Sequence, residues 1–167
     1  KNTGVNIGKS VCDDGYQELV KEILEKSKNY NCQIYYPLDV VVSQNLNGNG
    51  IIKENNQVNN NEMILDIGPK TVALIKSIVD NSNTVLWNGP AGYFENPNFA
   101  NGTKEILEII ANKRFKDKIY SVAGGGETVA VINKFNKSDS FNFVSTAGGA
   151  FLEYLEGKEL PGIKALS

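Results

Sequence analysis

Four times along this chain a short apolar run breaks at glycine and gives way to residues spaced as on one face of a helix. Met63–Ile67 precedes Gly68-Pro69, Thr84–Trp87 precedes Asn88-Gly89-Pro90-Ala91-Gly92, Ile119–Ala123 precedes Gly124-Gly125-Gly126, and Asn142–Thr146 precedes Ala147-Gly148-Gly149. This alternation constrains the fold more than any other local pattern, because each helix is a crossover that lets the next strand run parallel to the last. An α/β fold is therefore expected, with a mostly parallel sheet and helices on both faces. In such a sheet the strand-to-helix turns share the carboxyl edge, where open α/β sheets hold ligands. Three of them, NGPAG, GGGET and STAGG, would converge on one crevice.

The stretch Ile119–Phe135, IYSVAGGGETVAVINKF, shows what the glycines can do there. A phosphate can approach a glycine backbone without meeting a Cβ, while the first N–H groups of the following helix point at it and the helix dipole favours its charge. Close packing of strand on helix explains one such turn equally well. Three turns ending strands of one small domain favour a phosphate-rich ligand.

Elsewhere the patterns are simpler. Gly4–Ser10, GVNIGKS, has one residue too few between its glycines for a nucleotide-binding P-loop and no strand before it, so it reads as a loop leading into a helix. Tyr16, Leu19, Val20, Ile23, Leu24 and Ser27 lie on one face of that helix, which Asp13 or Asp14 can cap and which should pack against a core. Gln33–Ser43 is β-type but interrupted by Pro37, a strand that ends or bends before a second short one. Asn45–Asn61 holds eight asparagines in seventeen residues and suits a solvated hairpin or loop. Further helices are expected from Pro69 to about Val79 with Val72, Ile75 and Val79 inward, from near Phe99 with Ile106, Leu107 and Ile110 inward, and from near Ala150.

Composition narrows the function. With 167 residues and 41% apolar content the chain can bury one core, and it is expected to form a single domain unit over 1–167. A net charge of −2 with scattered Lys and Arg argues against nucleic acid as a partner. No apolar run approaches a membrane span and Lys1–Ser10 lacks the layout of a signal peptide, so a soluble, cytoplasmic protein is expected, with Cys12 and Cys32 as buried thiols. The chain has no histidine, which removes Ser-His-Asp and Cys-His pairs, histidine zinc sites and histidine bases. Chemistry done by positioning and electrostatics survives, phosphoryl transfer above all, and so does a binding module that does no chemistry. No G-x-G-x-x-G follows a predicted strand, which disfavours a dinucleotide.

Trp87-Asn88-Gly89-Pro90-Ala91-Gly92-Tyr93-Phe94-Glu95, Gly124-Gly125-Gly126-Glu127-Thr128, Ser145-Thr146-Ala147-Gly148-Gly149-Ala150 and Leu155-Glu156-Gly157-Lys158-Glu159-Leu160-Pro161-Gly162 closely resemble phosphoglycerate kinase in order and spacing. Asp66–Thr71 and Ile7–Ser10 look like that family too, so the resemblance covers nearly the whole chain. It implies a two-lobed glycolytic enzyme that transfers a phosphoryl group between 1,3-bisphosphoglycerate and ADP, giving 3-phosphoglycerate and ATP with Mg²⁺, here as most of the Rossmann-like nucleotide-binding lobe. By resemblance, Glu95 would bond the ribose hydroxyls, with Asn88, Gly89 and Pro90 near the nucleotide and Met63 and Leu65 walling the adenine. Gly124, Gly125, Gly126, Glu127 and Thr128 would hold the phosphates, Glu127 also serving Mg²⁺, and Gly148 and Gly149 would stabilise the transferring group.

The chain departs from that family at two positions. Glu127 stands where the family usually has Asp, and Ala147 where it usually has a third glycine. The first lengthens a candidate metal ligand by one methylene, although Mg²⁺ tolerates little departure from octahedral geometry; the second is harmless if φ is negative. The substrate lobe, and the first strands of the nucleotide lobe with their catalytic lysine, have no counterpart here. A fragment truncated at its N-terminal side, monomeric and inactive alone, is the expectation.

Overall fold

The computed structural model describes every residue except 2, 3, 14 and 118, and the backbone alone at Lys116 and Asp117. Among the described residues, six strands form two sheets. In the first, β1 (Asp39–Ser43) pairs antiparallel with both β2 (Ile51–Glu54) and β3 (Met63–Ile67). In the second, β4 (Thr84–Asn88), β5 (Tyr120–Gly124) and β6 (Phe143–Val144) run parallel in that order. Helices α1 (Gln17–Asn29), α2 (Pro69–Asp80), α3 (Asn101–Asp117), α4 (Gly126–Lys134), α5 (Gly149–Leu155) and α6 (Pro161–Lys164) complete the chain. The expected α/β class is present, and its parallel part begins at β4.

The asparagine-rich stretch contains β2 and a 3-10 turn at Asn55–Gln57, so the hairpin reading was the right one. Ile51 and Ile52 stay exposed in that edge strand. Only the second half of the Gln33–Ser43 run joins a ladder: Gln33–Pro37 is extended but unpaired, and Tyr35 and Tyr36 are about half exposed. GVNIGKS does not lead straight into α1. It lies along β3, with an antiparallel bridge from Gly8 to Met63, Lys9 N–H donating to Glu62 O and Ser10 Oγ accepting from Ile64 N–H.

Two further expectations are corrected. Helix α1 buries none of its residues, Leu19 and Ile23 remaining nearly half exposed, and its N-cap is Tyr16 without a capping side chain; Asp13 does not cap it and Asp14 lies outside the described residues. Its 3.6-residue periodicity specifies an apolar stripe but supplies no partner for it. Cys12 and Cys32 are free and exposed rather than buried, because they sit in segments flanking this uncovered helix.

The core gathers on one face of the parallel sheet. Trp87 and Ala123 meet Ile106, Leu107 and Ile110 of α3 and Val131 and Ile132 of α4, and Trp87 stacks on Phe141 with ring centroids 6.1 Å apart. Each fully buried Leu or Ile contributes about 1.5–3 kcal/mol. Because side chains alternate along a strand, Leu86, Val122 and Phe143, which are in register, occupy the other face. There Leu86 and Phe143 are exposed, and Phe151 of α5 lies against Gly124. Parallel sheets ordinarily have both faces covered.

Candidate functional site

Register brings the strand ends together. Asn88 pairs with Gly124 and Ala123 with Val144, so the turns after β4, β5 and β6 lie side by side at the carboxyl edge. What differs among them is how each following helix start is satisfied, since the first N–H groups of a helix have no partner within it.

Two helices are capped from a neighbouring strand. Buried Asp39 on β1 accepts from Lys70 N–H at 3.0 Å and from Thr71 N–H at 2.8 Å, which closes the start of α2, and Thr71 Oγ donates to it as well. Burial pushes the Asp39 carboxyl up, but these hydrogen bonds together outweigh it and hold the pKa below its ordinary value. Buried Asp66 on β3 accepts from Gly102 N–H at 2.8 Å at the start of α3, and from Ile67 N–H at 2.9 Å. There burial prevails over the hydrogen bonds and the pKa is raised. Helices α4 and α5 have no capping side chain: their N-caps are Gly125, φ 90°, and Gly148, φ 54°.

The glycines separate in the same way. At Gly92 a Cβ would overlap Asp66 and the Phe99 carbonyl, and at Gly102 it would overlap Asp66 and Ile67, so packing requires glycine at both. Gly126 and Gly149 have neither a positive φ nor any neighbour within 4 Å of such a Cβ. Nothing within this chain requires glycine there, and both stand in the first turn of an uncapped helix.

Beside α4 lies an open cavity of about 320 Å³, lined by Leu65, Pro90, Glu95, Glu127 and their neighbours. Its far wall is fixed by Tyr93 N–H donating to Leu65 O, and by Lys134, whose ammonium donates to Phe94 O and sits 5.5 Å from the Phe94 ring centroid. Of the residues singled out from the sequence, Leu65, Pro90, Glu95 and Glu127 share this cavity. Met63 lies two positions before Leu65 on β3, outside the lining. Asn88 turns its amide oxygen over Gly125, Gly89 has φ 96°, and Gly124 lies under Phe151. Gly125 and Gly126 start α4, and Gly148 and Gly149 start α5 on the adjoining turn. Thr128 is fully buried, and its hydroxyl accepts from Gly89 N–H at 2.7 Å.

Glu95 and Glu127 are exposed carboxylates on one cavity, and no cluster of three or more acidic, cysteine or histidine side chains occurs among the described residues. A cation held here would draw the rest of its oxygen ligands from a phosphate and water, the usual arrangement for Mg²⁺. The donor set fits that ion. Ala147 does not have a positive φ, so the third-glycine position costs no backbone strain. Thr103 went unread in the sequence: its fully buried hydroxyl accepts from both Ala91 and Gly92 N–H at 3.1 Å, and no local pattern marks a threonine inside a helix for that task.

Among the described residues no helix is long and apolar enough to cross a membrane. The chain is similar to known proteins in both sequence and fold. Phosphoglycerate kinase from Francisella philomiragia is 45% identical over 168 residues, covering 99% of this chain and 42% of that protein. Its counterpart from Xanthobacter autotrophicus is 43% identical, covering 98% and 42%. The solved structure of phosphoglycerate kinase from Coxiella burnetii superposes with a TM-score of 0.91 at 39% identity over 99% of this chain, and that from Pyrococcus horikoshii with 0.72 at 28%. The chain thus spans about two fifths of the length of these relatives. The phosphoglycerate kinase family model matches residues 1–158, and with these identities the chain belongs to the phosphoglycerate kinase family.

Proposed function

We propose that this chain is the nucleotide-binding part of a cytoplasmic phosphoglycerate kinase, one partial domain over 1–167, monomeric and inactive without the rest of the enzyme. The reaction is transfer of the acyl phosphate of 1,3-bisphosphoglycerate to ADP: a terminal ADP oxygen forms the new P–O bond and the 3-phosphoglycerate carboxylate leaves. The observation that carries the reading is the uncapped start of α4, where Gly126 leaves open space and Glu95 and Glu127 border the same cavity. Backbone N–H groups of Gly126, Glu127 and Thr128 hold the nucleotide phosphates, as helix starts hold anions generally. Leu65 and Pro90 wall the base, with Met63 behind, and the Glu95 carboxylate accepts from the ribose diol. The amides at Gly148 and Gly149 face the transferring group from the adjoining turn.

When bound, Mg²⁺ neutralises charge on the phosphates, and Glu127 is the side chain placed to serve it. Its competing role is structural, since a carboxylate in a first helical turn also favours the helix dipole by about 0.3–1 kcal/mol. Calorimetric titration with ADP, with and without Mg²⁺, separates the two. Glu127→Gln should lose much of the Mg²⁺-dependent gain in affinity while metal-free binding survives, and Glu127→Asp should keep or increase that gain. Equal Mg²⁺ dependence in all three proteins would leave Glu127 as a helix-start carboxylate.

A further inference from the structure

The turn 88–92 is glycine-rich and borders the cavity, yet its backbone amides from Gly89 onward are occupied. Gly89 N–H donates to Thr128 Oγ at 2.7 Å, Pro90 has no N–H, and Ala91 and Gly92 both donate to Thr103 Oγ at 3.1 Å. The next amide, Tyr93, donates to Leu65 O. Both threonines are fully buried. Residues 89–92 therefore have no backbone amide to offer a phosphate.

We propose that Thr128 and Thr103 are positioning residues, which clamp residues 89–92 as a rigid wall, its backbone amides occupied, at a fixed distance from the phosphate-binding start of α4. Thr128 ties the two together because it belongs to the first turn of α4 and reaches back to Gly89. Thr103 fastens the other end of the turn to α3. The clamp sets where a base and ribose rest against Pro90 relative to phosphates held by the α4 amides, and so selects a nucleotide over a bare polyphosphate. This inference rests on the nucleotide reading above.

The test compares Thr128→Val, Thr128→Ser and Thr103→Val with the unmodified chain in two ways. Amide hydrogen exchange followed by NMR reads the clamp directly. Protection of Gly89 should fall at least tenfold in Thr128→Val and return in Thr128→Ser, and that of Ala91 and Gly92 should fall in Thr103→Val. Calorimetry with ADP, adenosine and pyrophosphate reads its consequence. In Thr103→Val, which leaves the phosphate-holding turn of α4 untouched, ADP and adenosine should bind roughly fivefold more weakly, the scale of one hydrogen bond, and pyrophosphate should be unchanged. A merely destabilised fold would weaken all three ligands together.

Equal weakening of pyrophosphate in Thr103→Val, or unchanged protection of Gly89 in Thr128→Val, would overturn the proposal. If the unmodified chain binds none of the three ligands, the nucleotide reading fails and the Gly89 exchange still decides the clamp. Should Thr128→Val not fold, Thr103→Val reaches the same turn from another helix and carries the same expectations.

Discussion

The turns after β4 and β5 look alike in sequence, each ending a parallel strand in glycines before a helix, and they are opposites in structure. The first is closed: its amides are bound by Thr128 and Thr103, and Gly92 is glycine because Asp66 and the Phe99 carbonyl leave no room for a Cβ. The second is open: α4 has no capping side chain, and a Cβ on Gly126 would meet nothing. Glycine content therefore does not identify an anion site. The discriminating feature is an amide left without an acceptor beside a glycine that packing does not require.

Substitution at the two glycines should break the resemblance most sharply. Gly92→Ala forces a Cβ into Asp66 and a backbone carbonyl, and should lower stability by about 1–3 kcal/mol, the usual range for overpacking. Urea denaturation would show it as an early midpoint, and an unchanged midpoint would mean that the closed turn can relax. Gly126→Ala should do the reverse, leaving stability unchanged or raising it by up to ~1 kcal/mol through helix propensity, while weakening ADP binding because the added methyl fills the phosphate approach. Retained ADP affinity in a stable Gly126→Ala chain would place the phosphates elsewhere.

The smallest effect concerns acid. Asp66 lies under the closed turn with a raised pKa, whereas among the described residues no comparable buried carboxyl supports the open one. From the ordinary aspartate pKa up to the raised value, the folded chain keeps a proton that the unfolded chain has lost, so this group's contribution to stability falls as pH rises through that window. Asp66→Asn should remove that slope from denaturation midpoints measured as pH is raised from the ordinary aspartate range, at a modest cost in helix capping. Asp39, with its lowered pKa, works in the other direction, its contribution being lost as pH falls below the ordinary value.

Much of this was legible in the sequence, for reasons that show where legibility ends. The helices after Gly68, Gly92, Gly126 and Gly148 could be read because periodicity and turn residues are local. The gathering of three turns at one edge followed from parallel connection alone. Pairing of β1 with β3 and the Gly8–Met63 bridge could not be read, since each depends on partners far apart in sequence. The capping of α2 by Asp39 and of α3 by Asp66 was hidden for the same reason: each acts from a strand roughly thirty residues or more away, not from the position before the helix. Helix α1 and the two cysteines were misjudged because an apolar stripe states a need for burial and not its fulfilment.

The bare face of the parallel sheet has a thermal consequence. Leu86, Tyr120 and Phe143 are wetted in the folded chain, as are Leu19 and Ile23 of α1, so unfolding hydrates less new hydrocarbon than the residue count suggests. Heat capacity change tracks newly hydrated apolar surface. The free energy of unfolding of this chain should consequently vary with temperature along a shallow, broad dome, its enthalpy of unfolding changing little from a cool bath to a warm one.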